Sequence, residues 1–89
     1  MPVLVTADVP GQTLEGYEFI RQNLEPVMKH STGFVLHTAH EIDGGVRIVE
    51  IWDSAHDAND FFAKAVHPNL PPGIRPQRKI VEVSGLITP

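Results

Sequence analysis

The stretch from Phe34 to Trp52 constrains this chain more than any other. It consists of two β-rich runs, FVLHTAHEI and VRIVEIW, joined through Asp43-Gly44-Gly45. Asp-Gly and Gly-Gly steps tolerate the positive φ of tight hairpin turns, so the two runs are predicted to pair antiparallel. With Gly44-Gly45 as the loop, His37 pairs with Trp52 and Ala39 with Glu50. With Asp43-Gly44 as the loop the pairing slides, but the parity is unchanged. Strand side chains alternate faces. Val35, His37, Ala39, Ile48, Glu50 and Trp52 therefore share one face in either register, and Phe34, Leu36, Thr38, Val49 and Ile51 the other. Both faces are largely apolar and both require cover. One also carries an imidazole, a carboxylate and an indole within mutual reach, and function is expected there.

The flanking segments supply the remaining elements. Val3 to Val9 is a short β-type run closed by the Pro10-Gly11 turn signal. Thr13 can N-cap a helix whose apolar stripe runs through Leu14, Tyr17, Ile20, Leu24, Val27 and Met28. Pro26 offers no N–H to the Gln22 carbonyl, so this helix is predicted to kink or end there. Ser54 can cap a second helix, with Asp57 in a capping-box-like position and a stripe of Ala58, Phe61, Phe62, Ala65 and Val66. Pro68 stops it. The segment from Asn69 to Pro76, with three prolines and a glycine, reads as a stiff irregular connector, and Lys79 to Leu86 as a final strand.

The order β-α-β-β-α-β over residues 1–89 defines one α+β domain of ferredoxin-like topology, a four-stranded antiparallel sheet with two helices on one face. The opposite face, expected to carry Val35, Ile48 and Trp52, would then lie bare in a monomer. An apolar face of that extent marks an interface or a ligand site. A homodimer packed sheet to sheet would bury it and enclose a cavity between the copies. A domain of this size buries roughly 60–65% of its unfolded surface, which makes self-association a common remedy.

Composition removes several classes of function. Seven Lys and Arg against eleven Asp and Glu give a net charge of −4. Nucleic acid binding needs a basic stripe, and only Arg75, Arg78 and Lys79 cluster, read as a solvated strand edge with an anion site as the alternative. The absence of cysteine excludes disulfides, thiolate metal sites and cysteine nucleophiles. No apolar run approaches the ~20 residues that span a bilayer, and no secretory signal is visible, so a cytoplasmic protein without membrane contact is expected. The five histidines lack the i, i+4 spacing of a common helical metal site, and no metal is expected.

With this topology, Val49-Glu50-Ile51-Trp52-Asp53-Ser54-Ala55 and the preceding Thr32-Gly33-Phe34 carry a resemblance to a known group. The chain resembles the dimeric α+β barrel superfamily, in its antibiotic-biosynthesis-monooxygenase-like branch. There a third strand enters the second helix through a Trp-x-Ser step and a glycine opens the second strand. The resemblance implies a homodimer, a small apolar or aromatic ligand, and chemistry without a cofactor. The superfamily also holds haem-degrading enzymes, polyketide cyclases and isomerases. Haem-degrading relatives use a helix tryptophan, a first-strand asparagine and a late helix histidine. Here Phe61 stands at the tryptophan position, the first strand has no asparagine and His67 falls too early.

Within this frame His37 and Glu50 are the expected catalytic pair. A carboxylate beside an imidazole orients the ring and favours its protonated form, as general acid-base work requires. Trp52 offers a wide apolar surface to a flat ligand, and Tyr17, Val35, Ile48 and His67 complete the expected ligand contacts. His67 also suits a helix C-terminus as a cap. Met1-Pro2 ahead of a strand is shared with tautomerases that use an N-terminal proline as base, but a hairpin followed by a second helix does not fit them. The expected function is that of a cofactor-independent monooxygenase acting on aromatic or polyketide-like molecules. A cyclase or isomerase using the same cavity, and a non-catalytic small-molecule-binding dimer, are the alternatives.

Overall fold

Turn chemistry and alternation place the strands where the sequence pattern sets them. In a computed structural model describing residues 1–89, the elements are β1 (Val3–Pro10), α1 (Leu14–Lys29), β2 (Phe34–Ile42), β3 (Gly45–Trp52), α2 (Ala55–Phe61) and β4 (Gln77–Glu82). The sheet is antiparallel with order β2-β3-β1-β4, the ferredoxin-like topology. The last strand begins two residues earlier than its pattern indicated and ends at Glu82, after which Val83 N–H donates to the Pro2 carbonyl at 2.8 Å.

Asp43-Gly44 forms the hairpin loop, with Gly44 at φ 75°. This register sets His37 directly opposite Glu50 and Ala39 opposite Ile48. Gly45 permits the close approach of β1, because a Cβ there would lie 2.3 Å from the Val9 carbonyl oxygen. A bulge between Phe34 and Leu36 inserts one residue into β2. It sets Phe34 opposite Trp52, and the two rings meet edge to face with centroids 5.4 Å apart. This corrects the expected face pattern: Phe34, not Val35, accompanies Trp52, since a bulge breaks the period of two.

A second correction concerns which face the helices cover. They lie over the face of Val5, Ala7, His37, Glu50 and Trp52. Trp52 is fully buried and belongs to one core cluster with Val3, Val5, Met28, Ala58, Phe61 and Phe62. The uncovered face carries Leu4, Thr6, Leu36, Thr38, Val49, Ile51 and Val81 instead, joined across the strands by Leu4–Ile51, Leu4–Val81 and Thr38–Val49 pairs. Leu36 and Val81 are exposed there.

Thr13 caps α1 by accepting from Gly16 N–H at 3.0 Å, and Ser54 caps α2 by accepting from Asp57 N–H at 3.1 Å. α1 passes through Pro26 and ends at Lys29 rather than stopping. Gln22 and Pro26 are both exposed, so water can satisfy the carbonyl the proline leaves unpaired. The second apolar stripe is also not one α-helix. Beyond Phe61 the chain widens into a π-helical turn, Phe62–Val66, and then a 3₁₀ turn, His67–Asn69. Such widenings often accompany functional sites. Phe62 and Val66 both turn toward the cavity described next.

Candidate active site

Between α1, the sheet and the chain that follows α2 lies a cavity of about 580 Å³, within the range of small-molecule sites. It lies within a single chain, on the helix-covered side of the sheet. Helix spacing brings Tyr17, Ile20, Leu24 and Met28 of α1 to one wall. The sheet contributes Val5, Ala7, His37, Ile48 and Glu50, and Phe62, Val66, Ile74 and Arg78 close the far side.

A single hydrogen-bonded chain runs through the polar groups of this wall. Trp52 Nε1–H donates to Glu50 Oε1 at 2.9 Å. His37 Nδ1 lies 2.6 Å from Glu50 Oε2, and Tyr17 Oη lies 2.6 Å from His37 Nε2. The Tyr17 and His37 rings are nearly parallel, 4° apart, with centroids 6.0 Å apart. Glu50 is 4% exposed, and a carboxylate so deeply buried is tolerated only when its oxygens are bonded. Both are bonded here. The tautomer that suits a carboxylate acceptor has the proton on His37 Nδ1, donating to Glu50. The neutral ring then presents Nε2 as acceptor to the Tyr17 hydroxyl. Burial raises the Tyr17 pKa above its usual 10, which keeps the phenol protonated and donating at neutral pH.

The arrangement has the logic of a nucleophile–histidine–carboxylate chain: an outer hydroxyl, a ring that accepts its proton, and a carboxylate that orients the ring and stabilises its charged form. Because both ring nitrogens of His37 are engaged, the Tyr17 oxygen is the outermost atom of the chain. A ligand hydroxyl or acidic C–H that meets Tyr17 can pass its proton inward to His37.

The other expected site residues divide. Ile48 lines the cavity beside Glu50. Trp52 does not; it is packed between Phe34, Phe61 and Phe62 and acts through Glu50. Val35 falls at the bulge and does not line the cavity, and Phe34 takes its place there. His67 is exposed outside the lining and accepts from Arg78 Nη1 through Nε2 at 2.9 Å. Arg78 itself, read from the sequence as a solvated edge, is half-buried on the cavity wall, with its guanidinium carbon 4.3 Å from the Phe62 ring centroid. The alternation of β4 carried the signal. Arg78 pairs with Ala7 on the covered face, whereas Lys79 pairs with Thr6 on the other. No three His, Asp or Glu side chains converge as a metal-binding group, and no helix is long and apolar enough to cross a membrane.

No protein-family model and no curated protein matches the sequence. Solved structures do match the fold. SnoaB, a cofactor-independent oxygenase from Streptomyces nogalater, superposes with a TM-score of 0.69 at 12% identity, over 97% of this chain and 96% of its own. The structural-genomics protein YJCS gives 0.69 at 15% identity, over 93% and 99%. A proposed monooxygenase from Shewanella loihica PV-4 gives 0.64 at 16%, over 96% of each chain. At these identities the likeness is one of fold alone: the chain shares the ferredoxin-like fold of these proteins.

Proposed function

We propose that this protein is a cofactor-independent, monooxygenase-like enzyme acting on a flat aromatic or polyketide-like molecule. The observation that carries this reading is the Tyr17–His37–Glu50 chain, with both links at 2.6 Å, opening on a largely apolar cavity. The fold shared with SnoaB supports the same assignment. Tyr17 relays a proton from an acidic ring C–H to His37, and Glu50 stabilises the imidazolium. The resulting carbanion passes one electron to O₂, and the radical pair combines to a peroxide anion that takes the proton back from His37. Loss of water from the hydroperoxide leaves a ketone, with one oxygen atom in the product and one in water. The apolar walls hold the ring system in place and exclude water.

The protein works as a homodimer in this proposal, as the resemblance implies, with the uncovered sheet face as the contact. Leu4, Leu36, Ile51 and Val81 form its apolar end.

Oxygen consumption with a dihydroxyanthrone tests the chemistry. The wild-type protein is expected to consume one O₂ per ketone formed, and His37→Ala and Tyr17→Phe to lower turnover by about 10²–10⁴-fold. Unchanged turnover in His37→Ala would reject the relay. Product formed without O₂ uptake would move the assignment to a cyclase or isomerase.

A further inference from the structure

The charged groups on the cavity wall are paired, with one exception. Arg21 pairs with Glu18 and Glu25, Lys29 with Glu25, and Glu50 with His37. Arg78 forms no ion pair. Its contacts are the Phe62 ring face and the Nε2 atom of His67, which accepts from Nη1 and fixes the guanidinium plane. A guanidinium carries five N–H donors in a rigid fork suited to paired oxygen atoms, and one hydrogen bond leaves most of that fork unused. Burial lowers the Arg78 pKa, and the Glu50 charge opposes that only in part. That is the condition of a half-buried cation with no carboxylate paired to it. Arg47 on the opposite face, by contrast, is held by both oxygens of Asp8.

We infer that Arg78 is the anion-binding element of the cavity, and that the molecule bound there carries an anionic oxygen on its flat apolar frame. The inference rests on the reading of this cavity as the substrate site and narrows its substrate class to acidic aromatic compounds: carboxylates, enols or phenols that ionise on binding. Phe62 holds the guanidinium from one side by cation–π contact. His67, outside the cavity, acts as a positioning residue through its bond to Nη1.

The test uses 2-naphthoate and its methyl ester as probes, with affinities measured by calorimetry and the location by amide chemical-shift changes. The wild-type protein is expected to bind the acid about tenfold or more tighter than the ester, the scale of a charge-assisted hydrogen bond. Arg78→Gln should weaken binding of the acid by about tenfold or more and so remove that preference. Arg78→Lys should restore part of it, which a purely structural role for the arginine would not predict. Equal affinity of wild-type protein for acid and ester overturns the inference without any variant, and so does a preference that survives in Arg78→Gln. In those outcomes ester binding at the cavity leaves the substrate-site reading standing. If neither probe shifts cavity residues, the substrate-site reading fails, and this inference falls with it.

Discussion

The sheet carries one cross-strand acid–base pair on each face, and the two behave as opposites. His37 and Glu50 join β2 to β3 under the helices, with side chains 17% and 5% exposed. Asp8 and Arg47 join β1 to β3 on the uncovered face, at 35% and 42%. Strand geometry is the same in both. In the open pair, water and mobile ions screen the attraction, and the guanidinium grips the carboxylate through Nε and Nη2 at 2.7 and 3.1 Å. In the covered pair, screening is lost, and the carboxylate depends on Trp52 and His37 for the hydrogen bonds water would have given. Cover thus turns an ordinary surface pairing into a committed network whose outer end meets a cavity.

Removing the centre of the covered network should produce the largest change in the molecule. Glu50→Ala leaves the Trp52 N–H and the His37 Nδ1–H without acceptors, and opens a hole beside a fully buried indole. A loss of about 3–5 kcal/mol in urea unfolding is expected, as for one partner removed from a buried pair. A loss below about 1 kcal/mol would place Glu50 with the surface pairs and erase the contrast between the two faces.

The uncovered face should respond in assembly rather than in folding. Ile51 pairs with Leu4 and Leu36 at its apolar end, and Ile51→Glu would set a carboxylate on each copy at the proposed contact. The dimer dissociation constant measured by sedimentation equilibrium should rise by at least about tenfold, equivalent to about 1.4 kcal/mol. Probe binding in the cavity should persist, since the cavity lies on the other side of the sheet. A wild-type protein that sediments as one subunit at micromolar concentration would show that this face meets solvent alone.

The sequence made the elements and the side-chain partnership legible, but not the side of the sheet on which that partnership lies. Period-two alternation sorts residues into two sets; it does not say which set the helices cover when both are apolar. A finer signal was present in β1, where Val3, Val5, Ala7 and Val9 alternate with Leu4, Thr6 and Asp8. The second set, extended by Arg47 and Lys79 on neighbouring strands, is the more hydrophilic and is the one left open. The bulge at Val35 and the π-helical turn after Phe61 left no such trace. Each inserts or stretches a single step, which the periodicity of the flanking residues does not encode. Arg78 was misread for a related reason: a basic cluster in sequence is divided between two faces as soon as it enters a strand.

The smallest expected effect belongs to Asp8, and its sign is fixed by the pKa shift. Arg47 holds the Asp8 carboxyl below its usual 3.8, chiefly by hydrogen bonding. A group depressed in the folded state contributes stability in full above the unfolded value, and that contribution disappears as pH falls through the lower folded value. Asp8→Asn should therefore melt slightly below wild type at neutral pH, and the two curves should converge as pH drops below about 3.8. Raising the salt concentration should narrow the gap at neutral pH as well, because both partners reach solvent. Turnover should not change, since neither Asp8 nor Arg47 lines the cavity. A gap between the two proteins that persists in acid and in salt would show that the open pair is held by something other than screened charge.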